Sequence, residues 1–419
     1  MHQQNLRGDC EKIVRDAIGA CLPDTAVRRA MQNFKPPRGR LILIAVGKAA
    51  WNMARAALES LPRPVDAGLV ITKYGHSRGT LENCTVMEAG HPVPDDASFA
   101  AARAALSMTE DLCEEDTVLF LLSGGGSALF ELPRVSPETL RRITGELLSR
   151  GASIGEINTV RKRISAVKGG RFALHCAGAR VVSLILSDVL GDTPDTIASG
   201  PTCPDPTTCI EAFHIAKKYD LTLDEEAAAL LAEETPKELP NAEVTVIGGV
   251  THLCAAAADA AGKLGYRSVL LTDRLDCEAR AAGAFFAGLA RKYQNTDESI
   301  ALIAGGEPVV TLCGDGLGGR AQELALAAAE GLSGIANAAL ICIGSDGTDG
   351  PTDAAGGFVD GKSAAAMQEA GIDLRAALDN NDSYHALNSC GGLVFTGPTG
   401  TNVNDLTAVL IRSDRTCKA

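Results

Sequence analysis

The sequence predicts an α/β protein of two domains, and three observations lead there. Short, continuous apolar runs recur along the chain, each too short for a typical helix. Most are followed by a glycine-rich polar turn and then by a segment of helical periodicity, the pattern of buried parallel strands linked by helices. A charged helical stretch, 217–240, interrupts this alternation and marks a hinge or boundary. The expected division is therefore 1–240, a Rossmann-like doubly wound domain, and 241–419, a smaller α/β domain. At 419 residues the chain is long enough for both.

Taken in order, 9–34 reads as helical with a break near Pro23. A buried strand, 41–46, follows, then Gly47-Lys48 and a helix over 49–61. A lysine at a strand-to-helix turn lies where such sheets bind ligands. The turn is not a Walker A loop, because the first glycine is missing and Ala49 replaces Ser/Thr. Strands at 68–72 and 85–88 end in loops carrying His76 and His91. Asp95 can cap the next helix.

The strand 118–122 runs into Ser123-Gly124-Gly125-Gly126-Ser127. Three glycines let the backbone aim several N–H groups into one concavity. A turn of helix starting at Ser127 would add its own N–H groups, and the two hydroxyls are further donors. This is anion-binding architecture. A helix over 153–167 carries Arg161, Lys162 and Arg163. After the strand 180–186, Asp188 and Asp192 stand at a strand end near glycines, a setting that suits a hard cation such as Mg2+.

The second unit reads as a strand at 243–247, a helix at 255–264, a strand at 268–272, a helix at 278–293 and a strand at 300–303. A G-x-G-x-x-G pattern follows at Gly314, Gly316 and Gly319, and Asp346 ends the next strand, as in a dinucleotide site. Yet Arg320 stands at the helix start, a fixed cation better matched to a phosphoryl group or carboxylate. Two more polar loops, 344–353 and 396–405, also follow strands.

A net charge of −13 argues against nucleic acid or an anionic membrane surface as partner. The 13 cysteines are scattered and form no C-x-x-C pair, which favours free thiols in a reducing cytoplasm. Neither the N-terminal stretch nor any other run has signal-peptide or transmembrane character.

Several ordered blocks resemble one family. They are Lys48, SGGGSALFELP, ASIGEINTVRKRISAVKGGR, LILSDVLGD with IASGPTCPDPTT, GGEPVVTL with GGRAQELAL, GTDGPTDAAG and TGPTGTNVNDL. Together they are similar to the glycerate 2-kinase family over nearly the whole chain. The resemblance implies an N-terminal glycerate kinase domain, a C-terminal MOFRL-type domain and an active site in the cleft between them. It implies phosphorylation of D-glycerate to 2-phosphoglycerate with ATP and Mg2+. The family's lysine after the first strand matches Lys48, and its arginine in the GGRNQE block matches Arg320. The sequence departs from the family at Ala321, where asparagine is expected, and at Leu190, where proline is usual.

Phosphoryl transfer needs positioning and charge neutralisation more than covalent chemistry. Lys48 and Arg320 are the expected catalytic cations, and Ser123, Gly124, Gly125, Gly126 and Ser127 the expected phosphate-binding loop. Arg161 or Lys162 would hold the substrate carboxylate, with Asp346 completing the substrate set. Asp188 and Asp192 would hold Mg2+ or orient the glycerate hydroxyl. Expected partners are glycerate and ATP, with no nucleic acid or membrane, and a homodimer is open. Two other readings stand beside this one: an NAD(P)-dependent hydroxypyruvate reductase using the Gly314–Gly319 loop, and a non-catalytic sugar-acid or nucleotide sensor.

Overall fold

The computed structural model describes residues 5–413. Residues 1–4, part of the N-terminal stretch read above as lacking a signal-peptide core, lie outside that range. The chain forms two compact units, one of residues 23–247 and the other of 1–22 together with 248–419.

The first unit is built on six strands: β1 (Leu41–Val46), β2 (Ala67–Lys73), β3 (Cys84–Ala89), β4 (Thr117–Leu122), β5 (Arg180–Leu186) and β6 (Ala242–Gly248). Their order in the sheet is β3-β2-β1-β4-β5-β6, the doubly wound Rossmann order. β1 runs parallel to β2 and to β4, with Leu41 opposite Thr117 and Val46 opposite Leu122. β1 and β4 are buried along their whole length, and the alternation of side chains explains why. Ile42, Ile44, Val118 and Phe120 pack into a core on one face, and Leu41, Leu43, Leu119 and Leu121 into a core on the other. The order reverses between β1 and β4, so the loops leaving these two strands flank the switch point where such sheets hold ligands.

The second unit carries β7 (Arg267–Leu275), β8 (Ile300–Gly306), β9 (Ala338–Gly344), β10 (Gly356–Asp360), β11 (Leu393–Val394) and β12 (Asp405–Ile411), in the order β11-β10-β9-β12-β8-β7. β12 is antiparallel to both β8 and β9. Its first residue, Asp405, therefore stands opposite Gly306 and Gly344, the last residues of those strands. Two cores again cover the two faces, with Ile300 and Leu302 in one and Ala301 and Ile303 in the other.

The observed units differ from the expected 1–240 and 241–419 in two ways. β6 closes the first sheet instead of opening the second. The N-terminal helix Leu6–Ala20 packs Cys10, Ile13, Val14 and Ala17 into the second unit's core beside Val250, Leu253 and Ala257 of helix Val250–Lys263. The stretch 217–240, expected as a hinge or boundary, lies within the first unit. Within it, helix Glu225–Leu231 buries Ala227, Leu230 and Leu231 against Ile157, Val160 and Ala212.

Candidate active site

The loop after β4 is tied to the loop after β1 by backbone geometry. Ser123 N–H donates to the Val46 carbonyl at 2.9 Å, and Lys48 N–H donates to the Gly124 carbonyl at 2.9 Å. The Ser123 hydroxyl, expected as a ligand donor, is instead buried. It accepts from Ala49 N–H at 3.1 Å and donates to the Val46 carbonyl at 3.3 Å. The N–H groups of Gly124, Gly125, Gly126 and Ser127 donate to no backbone carbonyl among the described residues. Four consecutive N–H groups in a loop bent through a left-handed Gly125 (φ 87°) form an anion-binding concavity. The helical turn begins at Gly126 and is only four residues long, Gly126–Leu129. The loop is therefore a backbone nest more than a helix end. Lys48 is exposed at its rim, and its side chain makes no hydrogen bond or ion pair among the described residues.

Beneath this loop lies a charged cluster that spacing alone did not reveal. Lys168 is fully buried and donates to the carbonyls of Ser127 at 2.8 Å and Phe130 at 3.1 Å. Glu131, equally buried, sits 3.5 Å from Lys168 and 2.8 Å from Arg161. Burial pushes the Lys168 ammonium down to about 8, against the opposing pull of Glu131. Arg161 also donates to the Ser127 carbonyl at 3.0 Å. These cations bind the carbonyls at the end of the helical turn and so fix the loop from behind. Phe120, Phe130 and Phe172 complete the support, with ring centroids 5.1–5.8 Å apart.

Arg161 and Lys162 are alternative candidates for the substrate carboxylate, and the helix Ile154–Arg163 sends them to different surroundings. Lys162 is 2% exposed and donates to Asp205 at 3.0 Å and to Asp195 at 3.3 Å. It closes a buried ion pair, which favours Arg161 over Lys162 as the candidate for the substrate carboxylate. Arg161 keeps its Nη1 uncommitted among the described residues.

Asp188 packs against the anion loop so closely that a Cβ on Gly124 would come 2.0 Å from its Oδ2. Asp192 follows on a turn with φ 51°. No group of three or more His, Cys, Asp or Glu is arranged as a metal site among the described residues. That donor set still fits Mg2+, which takes one or two carboxylates and completes its octahedron with phosphate oxygens and water.

In the second unit, Arg320 begins the helix Arg320–Leu332. It forms a fork with Asp405, Nε to Oδ2 at 2.6 Å and Nη2 to Oδ1 at 3.0 Å, and Nη1 reaches Glu307 at 2.6 Å. The antiparallel β12 is what assembles this set, since Asp405 starts where β8 and β9 end. Burial pushes the Asp405 carboxyl up to about 7, with Asp349 and Glu307 adding to it and Arg320 opposing. Asp349 is buried and caps the helix, accepting from Ala321 N–H at 3.2 Å and Gln322 N–H at 2.8 Å. Ala321, where asparagine was expected, is fully buried in the core. Asp346 is partly exposed, and its Oδ1 accepts from Thr348 N–H at 2.9 Å and from the Thr348 hydroxyl at 3.1 Å.

The G-x-G-x-x-G pattern has a packing explanation. A Cβ on Gly314 would lie 2.4 Å from Asn380 Oδ1, one on Gly316 2.4 Å from the Asn380 carbonyl, and one on Gly319 2.3 Å from Asp349. These glycines admit a neighbouring segment of the same unit, so their spacing does not form a dinucleotide cradle.

Residues 9–232 match a domain of unknown function, DUF4147, and residues 300–405 match the MOFRL family. The chain is 50% identical to the D-glycerate 2-kinase of Thermotoga maritima, over 97% of this chain and 99% of that one. It is 40% identical to an Agrobacterium vitis protein named as a hydroxypyruvate reductase, over 96% of this chain and 94% of that one. A crystal structure of glycerate kinase from Thermotoga maritima superposes with a TM-score of 0.92 at 49% identity, over 97% of this chain and 99% of that one. With its DUF4147 and MOFRL regions and these full-length matches, the chain belongs to the glycerate 2-kinase family.

Proposed function

We infer that the chain transfers the γ-phosphoryl group of ATP to the 2-hydroxyl of D-glycerate, giving 2-phosphoglycerate and ADP. The observation that carries this reading is the run of four N–H groups from Gly124 to Ser127 beside the unpaired ammonium of Lys48. Such a nest, with an exposed, unpaired cation at its rim, suits a polyanionic phosphate chain. The similarity to a D-glycerate 2-kinase along the full length supports the acceptor.

Lys48 and Arg320 are the proposed catalytic cations, one a point charge and the other a planar fork. Ser123 takes the role of a strut between the β1 and β4 loops, and Gly124–Ser127 that of phosphate binding. Arg161 is the proposed carboxylate ligand, through its free Nη1. Asp346, whose Oδ2 is uncommitted, is proposed for a substrate hydroxyl. Asp188 and Asp192 would hold Mg2+, which would offset charge on the phosphates. Thiols packed in the core, among them Cys10, Cys254 and Cys342, support a reducing, cytoplasmic setting.

The reductase reading loses the loop it needs, because Gly314, Gly316 and Gly319 are filled by the chain itself. A direct assay separates the readings. The purified chain should release ADP only when D-glycerate, ATP and Mg2+ are all present, and excess chelator should abolish that release. NADH oxidation with hydroxypyruvate, without ADP release, would refute the reading. Full ADP release in excess chelator would remove the metal from it.

A further inference from the structure

His91 follows β3, in the loop that precedes the helix capped by Asp95. Its ring reaches the anion-binding loop. A Cβ on Gly125 would lie 3.0 Å from His91 Cδ2, 3.2 Å from His91 Nε2 and 3.2 Å from Lys48 Cγ. The imidazole and the Lys48 side chain thus flank one point of the anion-binding loop. The ring is partly buried, and neither of its nitrogens hydrogen-bonds to protein among the described residues. A ring held against a phosphate-binding loop with a free nitrogen is placed to exchange a proton with a bound reactant.

We propose that His91 is a catalytic residue of this site and that its Nε2 takes the proton of the acceptor hydroxyl. This rests on the kinase reading above. In the step, the glycerate 2-oxygen forms a bond to the γ-phosphorus as the bond from that phosphorus to the ADP oxygen breaks. The breaking bond's electron pair stays on ADP. The hydroxyl proton passes to Nε2 and then to water, so no oxidant or further reactant is needed.

The surroundings keep the ring in the form that can accept a proton. Burial, then the charges of Lys48, Lys73 and His76, push the His91 imidazole below its ordinary value. The acids nearby face other groups. Asp95 takes bonds from Ser98 and from the Tyr74 hydroxyl. Asp188 packs against Gly124. A neutral imidazole beside the Lys48 cation divides the work, the lysine stabilising phosphate charge and the histidine removing a proton.

The test is the pH dependence of kcat/KM for wild type, His91→Gln and His91→Asn, with thermal melts alongside. Wild type should lose activity along an acidic limb below neutral pH as the ring protonates. Both variants should remain folded, lose about a hundredfold or more in kcat and lose that limb. A purely structural histidine would lower the melting temperature but leave the limb in place. A flat wild-type profile, or a folded variant that keeps the limb, overturns the proposal. Should neither variant fold, the His91 ring signals of wild type decide by NMR. Addition of D-glycerate with a non-hydrolysable ATP analogue should shift their titration, and an unchanged titration overturns the assignment. Failure of the kinase reading looks different, since wild type would then release no ADP with glycerate at any pH.

Discussion

Lys48 and Arg320 both stand between a strand and the helix that follows it, Lys48 in the turn and Arg320 as the first helical residue, yet the two units hold them differently. Lys48 stands exposed with its ammonium unpaired. Arg320 is locked by a two-pronged bond to Asp405 and a third bond to Glu307. The lysine is anchored only through its backbone, by the bond from its N–H to the Gly124 carbonyl. The difference separates two ways of supplying a cation. A free ammonium is ordered by the ligand it meets, whereas a clamped guanidinium is already oriented but carries structural load.

The largest effects should come from removing each cation in turn. Lys48→Ala and Arg320→Ala should each lower kcat with glycerate and ATP by roughly two to four orders of magnitude. Their stabilities should diverge. Lys48→Ala should melt within about 2 °C of wild type, because an exposed side chain without partners is lost. Arg320→Ala should cost about 1–3 kcal/mol, because Asp405 is left buried without its counter-charge, though water can reach the site. Arg320→Lys should rescue only part of kcat, since an ammonium cannot reproduce the fork. Equal melting temperatures for the two alanine variants would break the comparison.

Lys162 sharpens it further. By sequence it is a ligand candidate like Lys48, but it is buried against Asp205. Lys162→Met should destabilise the chain by about 3–5 kcal/mol through the stranded carboxylate. The KM for glycerate of whatever remains folded should stay close to wild type. A stable variant with a large rise in that KM would return Lys162 to the substrate.

The smallest effect concerns the clamp itself. Burial pushes Asp405 up to about 7, whereas an unfolded aspartate titrates near about 3.9. Between those values the folded chain holds a proton that the unfolded chain has released. Stability from this group therefore falls as pH rises from about 4 to about 7. Asp405→Asn abolishes the titration, so its melting temperature should differ less than wild type's between about pH 5 and pH 7.5. A difference as large as wild type's would show that Asp405 does not titrate in that window.

Much of the first unit was legible because its strands are local signals. The runs at 41–46 and 118–122 are apolar throughout, since both faces of a doubly wound sheet are covered, and the turns after them carry the glycines. The positions of Lys48 and the Ser123–Ser127 loop follow from those runs. What could not be read depends on pairing across long separations. β6 joins the first sheet, and the helix Leu6–Ala20 joins the second unit's core, although neighbours in sequence suggest the opposite. The Arg320–Asp405 fork links residues 85 apart and exists only because β12 runs antiparallel between β8 and β9. Arg161 and Lys162 look alike in sequence and diverge because adjacent residues on a helix point in different directions. Asp349, hidden among three aspartates of one loop, could have been suspected as a cap from the helix start at Arg320.

The most direct test of the central reading is phosphorus NMR of the product formed from ATP and D-glycerate. The chain should generate ADP together with a single new phosphomonoester signal, that of 2-phosphoglycerate, and the Lys48→Ala chain should generate it far more slowly. A product signal from 3-phosphoglycerate, or unchanged ATP in the presence of glycerate and Mg2+, would contradict the account.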